Sequence, residues 1–192
     1  MTAVAIAKAN IACKVLVIEH HQRTGKKLMA TGNGRCNISN NCIKPPFINY
    51  HSSNSDFKFE ALEKLSLEDT KNFFLSLGLP IISLPSGKLY PQSLQASSVV
   101  DILKMSIEDR DIPLYTNCKI KDIHKGKKFK LSTNNEDFKL FTANKVILAC
   151  GGKTAPKTGS DGSAYNIAKS LGHSITTLVP GIVQLKLDYP HL

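Results

Sequence analysis

No glycine occurs among the eighteen residues that precede Glu19. That absence removes a G-x-G-x-x-G phosphate turn from the start of the chain. The five cysteines (Cys13, Cys36, Cys42, Cys118, Cys150) are scattered and lack C-x-x-C spacing. Neither a disulfide framework nor a zinc site is favoured, and a reducing, cytoplasmic setting fits best. No apolar run approaches the ~18–20 residues that a membrane-spanning helix needs, so no membrane partner is expected. The alanine-rich first dozen residues lack a basic start and run directly into a strand pattern, which argues against a signal peptide. A Walker order, G-x-x-x-x-G-K-[ST], is missing as well. So are internal repeats and low-complexity tracts.

What remains has the balance of a folded globular protein: 42% hydrophobic and 21% charged residues in a chain of 192, enough for one domain with an insertion. The 25 basic residues outnumber the 15 acidic ones, for a net charge of +10. Such a charge suits an anionic ligand, whether nucleic acid or a phosphate-bearing cofactor, and equally suits plain solubility.

Periodicity predicts a helix over 2–10, then a strand over Lys14–Glu19 whose four consecutive apolar residues suit burial on both faces of a parallel sheet. A Gly/Lys/Asn/Thr-rich loop spans Gln22–Asn41, and 42–56 read as irregular. Two short helices follow. Phe59, Leu62 and Leu65 share a face of the first; Ser66-Leu67-Glu68-Asp69 resembles a capping box opening the second, with Phe73, Phe74 and Leu77 inward and Gly78 as its stop. Residues 80–91 are extended, and 96–109 helical with Val99, Leu103 and Ile107 on one face. Leu114–Ile123 reads as a strand, and alternation around Asn134–Asp137 as a hairpin. Lys145–Ala149 reads as a second buried strand ending on Cys150-Gly151-Gly152, and a Gly-rich turn at 158–162 leads to a helix that stops near Gly172. The tail 173–192 looks like the beginning of another element.

Four features carry chemistry. Glu19 closes a strand, where a dinucleotide-binding βαβ unit places the carboxylate that accepts ribose hydroxyls, about 20 residues after its glycine turn. Counting back puts Met1 at or just past that turn; the alternative is an ordinary strand-end carboxylate. In Thr24-Gly25-Lys26-Lys27-Leu28 and Thr31-Gly32-Asn33-Gly34-Arg35-Cys36-Asn37, glycines let the backbone approach a ligand, while Lys26, Lys27 and Arg35 supply charge for a pyrophosphate. The alternative is a solvated basic turn. Cys150-Gly151-Gly152 after a strand allows close approach at the carboxyl edge of a sheet, where open α/β folds bind ligands, or forms a simple tight turn. Ser160 or Asp161, ahead of the following helix, either faces an anion or caps that helix.

Lys119, Lys121, Lys125, Lys127, Lys128 and Lys130 form the densest basic stretch. With Ile120, Ile123 and Phe129 on the opposite face, it reads as the solvent side of a hairpin. The lack of surface aromatics for base stacking argues against nucleic acid. His20 and His21 occupy adjacent strand-end positions that point apart, a poor metal pair, and no metal site is expected. Cys36 lacks a visible resolving partner, Cys42 apart, and reads as structural. No residue stands out as a catalytic acid, base or nucleophile.

Taken in order, the Gly25–Leu28 and Thr31–Asn37 segments, Gly87-Lys88-Leu89-Tyr90-Pro91, Ala149-Cys150-Gly151-Gly152-Lys153 and Pro156–Gly162 resemble the BaiN/RdsA (YhiN-like) family of NAD(P)/FAD-dependent oxidoreductases, aminoacetone-oxidase-like flavoproteins. The resemblance runs nearly the whole chain and covers about the N-terminal half of the family's usual length. It implies an α/β fold: a partial glutathione-reductase-like, Rossmann-type FAD-binding domain with a helical insertion and an antiparallel β crossover. Residues 1–41 would be the partial βαβ unit and glycine loop, 42–112 the helical excursion, 113–172 the crossover and return, and 173–192 the start of an inserted domain. It further implies FAD as cofactor, with NAD(P)H as electron donor. Glu19 would hold the adenosine ribose. Lys26, Lys27, Thr31, Gly32, Gly34, Arg35 and Asn37 would lie along the pyrophosphate and flavin. The Ile120 backbone would meet the adenine, and Cys150, Gly151 and Gly152 would line the cofactor.

Cys150, Ala155 and Gln184 stand where the family leads one to expect a threonine, an aromatic residue and a proline. The chemistry implied is hydride or electron transfer to a small unsaturated or carbonyl-bearing molecule. Without the phosphate turn and the C-terminal return, the expectation is a fragment with impaired or no activity alone, with a separately encoded C-terminal half as its partner. Two other readings compete: a non-catalytic basic module that binds nucleic acid, and an inert remnant of a split gene.

Overall fold

The computed structural model describes the chain except residues 10, 49, 51–54 and 181–192, and except the side chains of 55–58. It divides into two compact units, Met1–Lys119 and Ile120–Leu192.

The first unit opens with helix α1 (Thr2–Lys8), whose Val4 is completely buried and which packs against α5 (Ala96–Glu108). Strand β1 (Val17–Ile18) pairs in parallel with β5 (Leu114–Tyr115), Val17 opposite Leu114. The apolar run around β1 does not achieve the expected burial on both faces: Val17 and Ile18 are half-buried and Leu16 is exposed. Burial on both faces requires flanking strands and covering helices, and β5 is the only strand paired with β1 among the described residues.

After β1 come the short helix α2 (Lys26–Met29), a tight turn over Thr31–Gly34, and β2 (Ser39–Asn40). Helices α3 (Ser55–Lys64) and α4 (Leu67–Leu75) follow. The capping box is present: the Ser66 hydroxyl accepts from the Asp69 N–H at 3.1 Å while the Asp69 carboxylate accepts from the Ser66 N–H at 2.9 Å. Phe74 is buried on the inner face of α4. Leu65 lies beyond the end of α3 and is exposed, so it does not share that helix's apolar face. Strands β3 (Ile81–Ser83) and β4 (Lys88–Pro91) pair antiparallel around Gly87, and β2 adds to the other edge of β4. The core joins these pieces: Cys36 from the glycine loop, Phe74 and Leu79, and Ala96 and Val99 from α5.

The second unit is a meander, β6 (Ile120–Lys125), β7 (Phe129–Thr133) and β8 (Leu140–Ala143), in the order β6-β7-β8. Period-2 alternation holds at the start of β7, where Phe129 is half-buried, Lys130 exposed and Leu131 buried. It fails in β6, whose pairing shifts register between Ile120 and Asp122: Lys121 and Lys125 are exposed although they are two residues from the buried Ile123. The strand expected over Leu114–Ile123 is broken into β5 and β6, with Asn117 at a left-handed φ of 50° between them. Residues Lys145–Ala149 do not form the expected buried strand. Among the described residues they pair with no strand, and Ile147 is 61% and Leu148 38% exposed; an apolar run becomes a strand only where a neighbour accepts its backbone. Helix α6 (Ser163–Ser170) closes the unit, and Gly172 with φ 90° ends it. The expectation for 181–192 lies outside the described residues.

Candidate functional site

The glycine loop is shaped by a succession of left-handed residues: Gly32 (φ 56°), Asn33 (54°), Gly34 (79°) and Cys36 (58°). Side-chain-bearing residues enter this region at a cost of roughly 1–2 kcal/mol each, so the surroundings must hold them. Backbone bonds from Arg35 N to Gly32 O and from Cys36 N to Thr31 O close the turn. The Asn37 side-chain amide donates to the carbonyls of Ser39 and Leu89, both at 3.0 Å, and Ile38 N donates to Leu89 O at 2.8 Å. The loop is thereby tied to β4. The Thr31 hydroxyl donates to Leu28 O at 2.7 Å and closes the end of α2.

Within this loop the Arg35 guanidinium lies 5.0 Å from the centre of the Tyr90 ring, while Tyr90 itself is 4% exposed. A Cβ on Gly32 would come within 3.2 Å of the same ring and 2.7 Å of the Asn37 nitrogen. A Cβ on Gly34 would meet nothing within 4 Å. The backbone at Gly34 is therefore open to a ligand, and that at Gly32 is packed. Lys26 and Arg35 are exposed, Lys27 half-buried. Burial raises the Cys36 thiol above its ordinary value, partly offset by a hydrogen bond with Thr31, which suits a packed thiol rather than a reactive thiolate.

Glu19 follows β1. Its backbone N–H donates to Tyr115 O at 2.8 Å and its carbonyl accepts from Cys118 N at 2.9 Å. Its Oε1 accepts the His21 N–H at 2.8 Å and lies 3.2 Å from His20 Nδ1. The expectation that His20 and His21 point apart does not hold. Their ring centroids are 3.8 Å from one another, because the strand ends at Ile18 and its alternation with it.

In the second unit Ile120 opens β6 half-buried. Cys150 and Gly151 are exposed, and Gly152 is half-buried. A Cβ on Gly151 would sit 3.1 Å from Ser160 Oγ, and one on Gly152 3.2 Å from the Tyr165 hydroxyl. The two glycines thus let the chain pass tightly over the 160–165 turn, which Gly162 N fastens by donating to Gly152 O at 3.0 Å. Asp161 Oδ1 accepts the Ser163 N–H at 2.9 Å ahead of α6, but the N-cap residue of that helix is Gly162, so neither Ser160 nor Asp161 caps it.

The predicted residues therefore fall into two local groups, Glu19 and Lys26–Asn37 in the first unit and Ile120 and Cys150–Gly152 in the second. Tyr90, the Leu89 carbonyl and Tyr165 support them and were not assigned a role from the sequence; Ser160, read there as an anion contact or a cap, packs beneath Gly151. The Gly87–Pro91 motif was the signal for the first two.

The HI0933-like protein Rossmann domain family matches residues 1–188. A 3-dehydro-bile acid delta(4,6)-reductase of Clostridium scindens is 37% identical over 191 residues, 97% of this chain and 44% of that protein. The ribosomal RNA dihydrouridine synthase of Escherichia coli is 26% identical over 180 residues, covering 93% of this chain and 44% of the relative. The chain thus spans less than half the length of these curated relatives. A solved structure of NikD, an unusual amino acid oxidase, aligns over 89% of this chain and 50% of its own, with a TM-score of 0.42 and 14% identity. With the glycine loop, the Gly87–Pro91 strand and the Cys150–Gly162 turn all inside one continuous match, the chain belongs to the HI0933-like family and carries its Rossmann-type α/β domain.

Proposed function

We propose that this chain supplies part of the FAD site of a flavin-dependent oxidoreductase that reduces a small unsaturated or carbonyl-bearing molecule, with NAD(P)H as the electron donor. The observation that carries the reading is the turn at 31–37. Its left-handed residues are locked by Asn37 and Tyr90, its Gly34 backbone is open, and its Arg35 is held over an aromatic ring with its charge exposed. A guanidinium beside open backbone N–H groups fits a pyrophosphate by charge and by hydrogen-bond geometry.

In this reading Glu19 accepts the ribose hydroxyls. Lys26, Lys27 and Arg35 neutralise phosphate charge, and Thr31, Gly32, Gly34 and Asn37 shape the path along the cofactor. Bound flavin would accept and pass on the electron pair; this chain's residues bind and orient it. The bile acid reductase, at 37% identity, supports a small-molecule substrate. Five free cysteines fit a cytoplasmic setting, and among the described residues no helix is long and apolar enough to cross a membrane.

The test is titration of the purified chain with FAD by calorimetry and by flavin fluorescence, alongside Arg35→Ala and Glu19→Gln. Saturable binding that each variant weakens about tenfold or more supports the reading. An absence of FAD binding, also after addition of a separately expressed second half, overturns it.

A second reading has one observation in its favour. Lys125, Lys127, Lys128, Lys130 and His124 line a depression of about 570 Å³ at the β6–β7 turn, a surface suited to a nucleic-acid backbone. It predicts RNA affinity that falls steeply with salt; a flat response removes it.

A further inference from the structure

We propose that Tyr90 is a positioning residue for the anion site at the 31–37 turn: its ring pre-orders the Arg35 guanidinium that receives a phosphate. The proposal rests on the flavin reading and adds to it a residue from outside the loop. Tyr90 lies in β4 opposite Ile82 of β3 and is 4% exposed, so packing holds its ring. Arg35 is exposed. Its guanidinium carbon lies 5.0 Å from the ring centre, inside the roughly 6 Å over which a cation is drawn to an aromatic face.

The same ring meets the backbone of the turn, since a Cβ on Gly32 would come within 3.2 Å of Tyr90 Cε1. Arg35 Nε–H in turn donates to the Gly32 carbonyl in a long bond of 3.4 Å. One buried side chain thus bears on both the turn and the charge that the turn carries. With Nε committed to Gly32, the terminal nitrogens of the guanidinium keep their N–H donors, which suit the paired oxygens of a phosphate.

A long, solvated side chain loses rotamer freedom when it takes up a ligand, and that ordering lowers affinity. The ring removes part of the loss before the ligand arrives. Tyr90 is also a core residue, so the test must separate a misplaced guanidinium from a loosened core.

The experiment measures FAD affinity of the full chain by flavin fluorescence in the natural protein, Arg35→Ala, Tyr90→Leu, their double variant and Tyr90→Phe. Tyr90→Leu should weaken binding about fivefold, and Tyr90→Phe, which keeps the aromatic face, should stay within about twofold of the natural chain. In the Arg35→Ala background Tyr90→Leu should cost less than about twofold, because the ring then has no charge to hold. Equal losses in both backgrounds assign Tyr90 to packing alone and overturn the proposal.

A second measurement needs neither ligand nor a Tyr90 variant. In the NMR spectrum of the flavin-free chain, the Arg35 side-chain protons, identified by their loss in Arg35→Lys, should lie upfield of those of the exposed Arg23. The ring current of Tyr90 causes that displacement, and its absence overturns the proposal. Circular dichroism checks the fold of Tyr90→Leu; should that variant unfold, the displacement and the Tyr90→Phe affinity decide. FAD binding that Arg35→Ala weakens and Tyr90→Leu leaves unchanged overturns this proposal while the flavin reading stands. A natural chain that takes up no FAD, also with a separately expressed second half, overturns both.

Discussion

The side-chain amide of Asn37 donates to the backbone carbonyl of Leu89 at 3.0 Å, so a residue at the end of the glycine loop is fastened to the middle of β4. The same nitrogen reaches the Ser39 carbonyl. An asparagine held in this way fixes the exit of a turn whose four left-handed residues would otherwise relax. Asn37→Ala removes both bonds and leaves two carbonyls to find other donors. With a net value near 1 kcal/mol for such a bond, the variant should lose about 1–2 kcal/mol in urea denaturation. In the flavin reading it should also lose FAD affinity. Unchanged stability would show that the loop is held by its own backbone bonds.

Gly25 and Gly34 share a left-handed φ, 80° and 79°, but not their surroundings. A Cβ at Gly25 would lie 2.7 Å from Val100 Cγ2, whereas one at Gly34 meets open space. Gly34→Ala should therefore cost only the backbone penalty, about 1 kcal/mol, and show its main effect on ligand affinity. Gly25→Ala adds overpacking against α5 and should cost about 2–4 kcal/mol. Because the clash is with one side chain, Gly25→Ala combined with Val100→Ala should lose less than the sum of the single variants. Strict additivity in thermal denaturation would contradict this packing.

Features set by neighbours in sequence were legible from it. The Ser66–Asp69 box needs four consecutive residues, and the β7–β8 hairpin needs only alternation around a polar turn. The glycine loop was legible as a loop, since its composition names the conformations it adopts. The Arg35–Tyr90 contact was not: the two residues are far apart in sequence, and only folding of β4 beside the loop joins them. The runs at 14–19 and 145–149 misled for the opposite reason. An apolar run states what a strand can bury, while burial depends on what lies against it. His20 and His21 misled because alternation was extended past the last residue of β1.

The Asp69 carboxyl is held below its ordinary range, first by the hydrogen bond from the Ser66 hydroxyl and then by that from the Ser66 N–H. A carboxyl with a depressed folded-state pKa lends stability that is present above its unfolded value near 3.8 and is lost as pH falls through the lower folded value. Asp69→Asn should consequently be less stable than the natural protein at pH 6, and the gap should shrink once the pH drops below 3.8. A gap independent of pH would assign the effect to packing of α4 rather than to the charged cap.

Cys36 offers the clearest test of whether the glycine loop is a packed element. Its thiol is 6% exposed and sits in the core with Phe74 and Val99. Desolvation raises its pKa, more than the hydrogen bond with Thr31 lowers it. Both burial and a scarce thiolate slow alkylation. Cys13, Cys42 and Cys150 are exposed. Timed labelling with iodoacetamide near pH 8, read by peptide mass spectrometry, should therefore modify these three first. Cys36 and the buried Cys118 should react at least about tenfold more slowly, at a rate set by local opening of the structure. In denaturant all five should react together. Early labelling of Cys36 in the folded chain would mean that the 31–37 turn opens freely. The preformed left-handed turn on which the flavin reading rests would then not exist in solution.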